Sequence, residues 1–131
     1  MRCDARVSER ALRDIYLKGF EICIKNAHPW ALMTSYNRVN GLYPSENPEL
    51  LQGILRDEWG YDGMVTTDWL NRVSQVKEIK AGNDLKMPSG EPERVLKALN
   101  EGEITKEQIE ACAVRILKTI LRMAGYEIKT R

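Results

Sequence analysis

Two stretches of this chain change character in the same way: Trp30-Ala31-Leu32-Met33 runs into Thr34-Ser35-Tyr36-Asn37, and Gly63-Met64-Val65 runs into Thr66-Thr67-Asp68-Trp69. Each apolar run is too short for a helix and follows a segment of helical spacing, which points to strands alternating with helices. A strand that is apolar on both faces at its start suits a covered, parallel sheet, so βαβ units are expected. Right-handed crossovers then bring the two polar ends to one edge, where parallel sheets keep their ligand sites.

The helical segments carry their own boundaries. Ser8 precedes Leu12, Ile15, Tyr16, Gly19, Phe20 and Cys23 at three- and four-residue steps, which predicts a capped helix over 9–26, stopped by His28-Pro29. Asn47-Pro48-Glu49 opens a second helix over 48–59, with Leu50, Leu51, Ile54, Leu55 and Trp59 as its apolar stripe and Gly60 as its terminator. A short helix over 72–81 leads to Asp84-Leu85-Lys86-Met87, read as a third, brief strand closed by Pro88 and Gly90. A helix from Pro92 to Leu99 follows, and Thr105 with Gln108 forms a capping box for a long helix through Met123, ended by Gly125.

The expected fold class is α/β, built of parallel βαβ units. Three strands are too few to close an eight-stranded barrel, so the chain is either a small open three-layer sheet or a partial (β/α)8 fragment with a long C-terminal helix. No linker or repeat divides it, and residues 1–131 read as a single domain.

With 43% hydrophobic and 30% charged residues the composition is globular, and a net charge of +1 gives no general attraction to nucleic acid or to an anionic membrane. No apolar run is long enough to span a bilayer and the first residues lack the apolar core of a signal peptide, so a soluble chain, cytoplasmic if expressed as given, is expected. Cys3, Cys23 and Cys112 share no CxxC spacing, which argues against a disulfide framework or zinc knuckle; Cys23 and Cys112 are expected in the core. His28 is the sole histidine and is read as a helix-terminal surface residue, and with the cysteines scattered no metal is implied. No Gly-rich phosphate loop follows any predicted strand, which sets aside a nucleotide-binding reading.

Chemistry is expected at the strand ends. A carboxylate beside an indole, as in Asp68-Trp69, suits sugars: the CH-rich face of a pyranose packs on the ring while the carboxylate attacks or stabilises the anomeric carbon. On spacing alone, the pair reads rather as a cap on the following helix and a core aromatic.

Five motifs weigh on that choice. Val7-Ser8-Glu9-Arg10-Ala11-Leu12-Arg13-Asp14-Ile15-Tyr16-Leu17, Met33-Thr34-Ser35-Tyr36-Asn37-Arg38-Val39-Asn40-Gly41, Ile54-Leu55-Arg56-Asp57-Glu58-Trp59-Gly60-Tyr61-Asp62-Gly63, Thr67-Asp68-Trp69 and Lys80-Ala81-Gly82-Asn83-Asp84-Leu85-Lys86-Met87-Pro88 occur in an order that resembles the family 3 glycoside hydrolases of the β-glucosidase type. The resemblance extends from about residue 4 to about residue 119 and covers the C-terminal part of that family's TIM-barrel-like first domain. It implies a retaining hydrolase of O-glycosidic bonds that needs no organic cofactor, in which Asp68 is the nucleophile, Trp69 lines the sugar subsite, Tyr36 donates a hydrogen bond toward the carboxylate, and Met33 adds to the same wall.

The resemblance also implies what lies elsewhere. The family's Arg and Lys-His pair that grip sugar hydroxyls, and an Asp nearer its start, have no counterparts here. Its acid/base Glu belongs to a second, sandwich domain. The chain is therefore expected to be inactive alone, with a β-glucoside or oligosaccharide as substrate of the whole, and with the missing barrel half and sandwich domain as its partners. Expressed alone it is expected to form a homo-oligomer, because open strand edges and helix faces invite self-association. Asp84 is an imaginable second carboxylate but reads as a hydrogen-bonded loop anchor, and Asp57, Glu58 and Asp62 as solvated charges. The alternative reading is a non-catalytic carbohydrate-binding or interaction module, using Trp69 and Tyr36 as its platform.

Overall fold

The computed structural model describes residues 3–126. Strand β1 (Asp4–Ala5) precedes α1 (Glu9–Ala11), which continues through a π-wound turn, Leu12–Tyr16, into α2 (Lys18–Ala27). The Ser8 hydroxyl accepts from the Ala11 N–H at 3.2 Å, the cap its position predicts. His28 ends α2 in a left-handed conformation (φ 46°) and is exposed.

Strand β2 (Ala31–Thr34) follows, then β3 (Arg38–Val39), a 3-10 turn at Pro44–Glu46, and a π-wound helical segment, Glu49–Glu58. Asn47 caps that segment by accepting from the Leu50 N–H at 3.2 Å, and Gly60 leaves it at φ 71°, a region an L side chain resists. Strand β4 (Met64–Thr67) comes next. The residue before it must be glycine, because a Cβ on Gly63 would stand 2.8 Å from the Trp30 carbonyl and collide with the Tyr61 hydroxyl. Helices α3 (Gln75–Ala81), α4 (Pro92–Asn100) and α5 (Lys106–Met123) complete the chain. Thr105 and Gln108 close the expected capping box on α5.

Strands β2 and β4 pair in parallel with Ala31 opposite Met64 and Thr34 opposite Thr67. β1 pairs in parallel with β3, a contact between chain-distant dipeptides that no periodicity announces. The architecture is thus α/β with parallel strands, as expected. The third strand is corrected: it shrinks to one parallel bridge between Thr66 and Leu85. The ladder stops because side chains take over its hydrogen bonds. The Asp84 carboxylate accepts from the Val65 N–H at 2.8 Å, and the Met87 N–H donates to the Thr67 hydroxyl at 2.9 Å.

Two apolar clusters hold these elements. Ile24, Leu51, Leu55, Tyr61, Val65 and Ala81 pack under the strand pair, and Val76, Ile79, Ala98, Ile104 and Cys112 pack between α3, α4 and α5. Cys112 sits in the core as expected, and burial pushes its thiol up to about 11. Cys23 does not: it is exposed on α2, a helix that buries only Ile24. The outer faces of α2 and α5 remain apolar and open, with Phe20, Ile22, Leu117 and Ile120 all more than half exposed. No helix among the described residues is long and apolar enough to cross a membrane.

Candidate active site

Because β2 and β4 run parallel in register, the residues just beyond Thr34 and Thr67 emerge at the same end of the sheet. Tyr36 stands two positions past Thr34, while Asp68 and Trp69 directly follow Thr67. The two threonines are buried, at 7% and 1% exposure, and fix the strand ends from below: Thr34 Oγ1 donates to the Thr66 carbonyl at 3.3 Å, and Thr67 Oγ1 takes the Met87 N–H.

The rim above them is open. Asp68 is partly exposed, Tyr36 is 40% exposed, Trp69 57% and Met33 63%. The Asp68 carboxylate accepts from the Trp69 N–H at 2.7 Å, and the Tyr36 hydroxyl donates to the Trp69 carbonyl. Partial desolvation, and then the neighbouring Asp68 carboxylate, hold the Tyr36 phenol above its ordinary range. The phenol thus donates to the main-chain oxygen one residue beyond Asp68 and stands close enough to the Asp68 carboxylate to feel it.

Met33 lies within β2, opposite Thr66, with its side chain exposed. It also borders an apolar groove of about 490 Å3 between the α1–α2 helix and the Glu49–Glu58 segment, floored by Leu32, Leu50 and Ile54. Asp68, Tyr36 and Trp69 do not line that groove. The apolar groove and the carboxylate rim are separate features.

Asp84 is an anchor. Its side chain is 0% exposed, and it holds Arg56 Nη2 at 3.0 Å and Arg115 Nε at 2.7 Å as well as the Val65 N–H. Asp57, Glu58 and Asp62 are exposed; Glu58 pairs with Arg13 and Asp62 with Arg122, both at 2.7 Å. Among the described residues no group of three His, Cys, Asp or Glu side chains could hold a metal ion.

Sequence reasoning missed a second buried polar cluster. Lys86 Nζ donates to Asn71 Oδ1 and to the Val73 carbonyl, each at 2.6 Å, and lies 3.4 Å from Glu78. Asn71 Nδ2 in turn donates to Glu78 Oε1 at 2.5 Å and to Ser45 Oγ at 3.3 Å. A signal existed: in an extended run Asp84 and Lys86 share a face at period two, so two charges alternate with apolar residues where a core strand was expected.

A parallel α/β core with polar residues at the carboxyl ends of its strands is the architecture of a fragment of a (β/α) barrel. Residues 3–119 match the family model described as glycosyl hydrolase family 3 N terminal domain, and the chain belongs to that family. It is 45% identical over 124 residues to a β-glucosidase of Rhizobium radiobacter, an alignment covering 92% of this chain and 15% of that protein. It is 44% identical over 114 residues to an exo-α-(1→6)-L-arabinopyranosidase of Bifidobacterium longum, covering 86% of this chain and 15% of that enzyme. Among solved structures, β-glucosidase 3B from Thermotoga neapolitana in complex with glucose superposes with a TM-score of 0.87 at 44% identity, covering 91% of this chain and 18% of that one. The chain thus spans about 15% of the length of the curated relatives it matches.

Proposed function

We propose that this single domain, residues 1–131, is the C-terminal part of the barrel-like first domain of a retaining β-glucosidase-like glycoside hydrolase, and that it supplies the nucleophile. Asp68 attacks the anomeric carbon, the aglycone leaves with a proton from an acid outside this chain, and water then releases the sugar from the carboxylate ester. Trp69 offers its exposed indole to the CH face of the sugar, with Tyr36 and Met33 beside it. The reading is carried by one observation: Asp68 leaves β4 at the same sheet end as Tyr36 leaves β2, partly exposed and beside an open indole.

A retaining site needs two carboxyl groups about 5 Å apart. Asp84 is unsuited to be the second, since its oxygens are buried and occupied by Arg56, Arg115 and a backbone N–H. The chain is therefore inactive alone, and the exposed apolar faces of α2 and α5 are where the remaining barrel half packs, with the sandwich domain beyond it. Without that cover the chain self-associates through the same faces; light scattering at micromolar concentration should give at least a dimeric mass.

The test is a chimera in which residues 3–119 replace the matching segment of the Rhizobium radiobacter β-glucosidase. It should hydrolyse an aryl β-glucoside and form a covalent adduct with a 2-deoxy-2-fluoroglucoside on Asp68. Asp68→Asn should remove nearly all turnover, and unchanged turnover would refute the nucleophile assignment. A second reading, a non-catalytic sugar-binding module, draws on the exposure of Trp69; it requires saturable glucose binding by the chain alone in calorimetry, lost in Trp69→Ala.

A further inference from the structure

We propose that Lys86 is a positioning residue: its buried ammonium group ties down the loop that carries Trp69 and holds Asp68 at the sheet's carboxyl end. The inference rests on the assignment of Asp68 and Trp69 to a sugar site. The start of the loop has little packing of its own, for Trp69 and Leu70 are 57% and 76% exposed before the chain buries Val73, and Leu70 sits in the left-handed region at φ 57°. A non-glycine residue holds that conformation only where its surroundings impose it.

The surroundings are visible. The Leu70 N–H donates to the Met87 carbonyl at 3.2 Å, and the next residues are bound through Lys86, which grips the Asn71 side chain and the Val73 carbonyl together. Its third donor faces Glu78, whose side chain is 1% exposed against 9% for the lysine. Ser45, through Asn71, adds the turn that follows β2 and β3. One buried cation thus ties the loop after β4 to α3 and to the segment after the Leu85 bridge, while Asn71 carries the tie to the turn beyond β3. All three ammonium donors have partners, as a buried charge requires.

A lysine here achieves what an apolar residue of the same volume would not. An apolar side chain could fill the space, but it could not bind a main-chain carbonyl and an amide oxygen at once, and those two bonds set the loop's direction. Trp69 follows from that direction, since it is two residues from Asn71.

The test uses the full chain labelled with 5-fluorotryptophan, whose 19F spectrum separates Trp30, Trp59 and Trp69. Lys86→Met should preserve the far-UV circular dichroism while the Trp69 line shifts or broadens and the other two stay in place. That variant also leaves Glu78 without its counter-charge, so E78L/K86M is measured beside it. Removing both charges of a buried pair is often neutral for stability, and a role confined to charge balance predicts an unchanged Trp69 line in the double variant. A displaced Trp69 line in folded E78L/K86M supports positioning, and a wild-type line in either folded variant overturns it. Where neither Lys86 variant folds, Asn71→Ala, which cuts the loop end of the tether, decides by the same line. No turnover enters the readout, so this outcome stays separate from the fate of D68N in the chimera.

Discussion

The Tyr36 hydroxyl donates to the main-chain carbonyl of Trp69, so the residue that leaves β2 is latched to the one that follows Asp68 beyond β4. The latch acts on the backbone and leaves the indole free. Tyr36→Phe is expected to lower stability by about 1 kcal/mol, the ordinary net value of one hydrogen bond, in a urea titration. In the chimera it should lower turnover far less than Asp68→Asn does.

The same phenol gives a pH test. Partial desolvation and the Asp68 carboxylate both favour its neutral form, so Tyr36 should titrate above the usual tyrosine range. With the folded-state value raised, its contribution to stability is complete below the ordinary phenol range and is lost as the pH climbs through the folded-state value. Absorbance at alkaline pH, differenced against Tyr36→Phe, should follow the shift. Asp68→Asn should move it part of the way back, and no movement would show that the two side chains do not interact.

Two aspartates beside β4 should behave oppositely. Asp84→Ala leaves Arg56 and Arg115 without the carboxylate between them, and breaking a buried pair in this way costs about 3–5 kcal/mol. Asp68→Asn changes a partly exposed side chain and should alter stability by less than about 0.5 kcal/mol. Chemical denaturation of both variants against wild type checks the contrast.

Leu70 offers a stabilising change. It holds φ 57° with its side chain 76% exposed, so glycine relieves the backbone while forfeiting little packing. Leu70→Gly should raise the unfolding midpoint, with a gain of up to about 1 kcal/mol after the greater entropy of the unfolded glycine chain is counted.

Thiol reactivity should follow burial. Cys3 and Cys23 are exposed, whereas Cys112 is buried with its thiol raised to about 11. A disulfide reagent at neutral pH should therefore modify Cys3 and Cys23 quickly and reach Cys112 only in denaturant. Rapid modification of Cys112 in the folded chain would contradict its placement.

The alternation of apolar runs and helical spacing was enough, by itself, to give parallel strands and to place Tyr36, Asp68 and Trp69 just beyond their carboxyl ends. Ser8, Asn47, Gly60 and the Thr105–Gln108 box marked helix ends correctly because a cap is a bond between residues three or four apart, and such bonds are legible in a linear chain. The remaining features depend on partners that meet only when the chain has folded. Asp84 took a backbone N–H from β4 and cut the third strand to a single bridge, Lys86 and Glu78 entered the interior together, and Tyr36 found the Trp69 carbonyl beside the carboxylate. Cys23 stayed outside because the apolar stripe of a helix shows which face can be buried, while only the neighbouring elements decide whether it is.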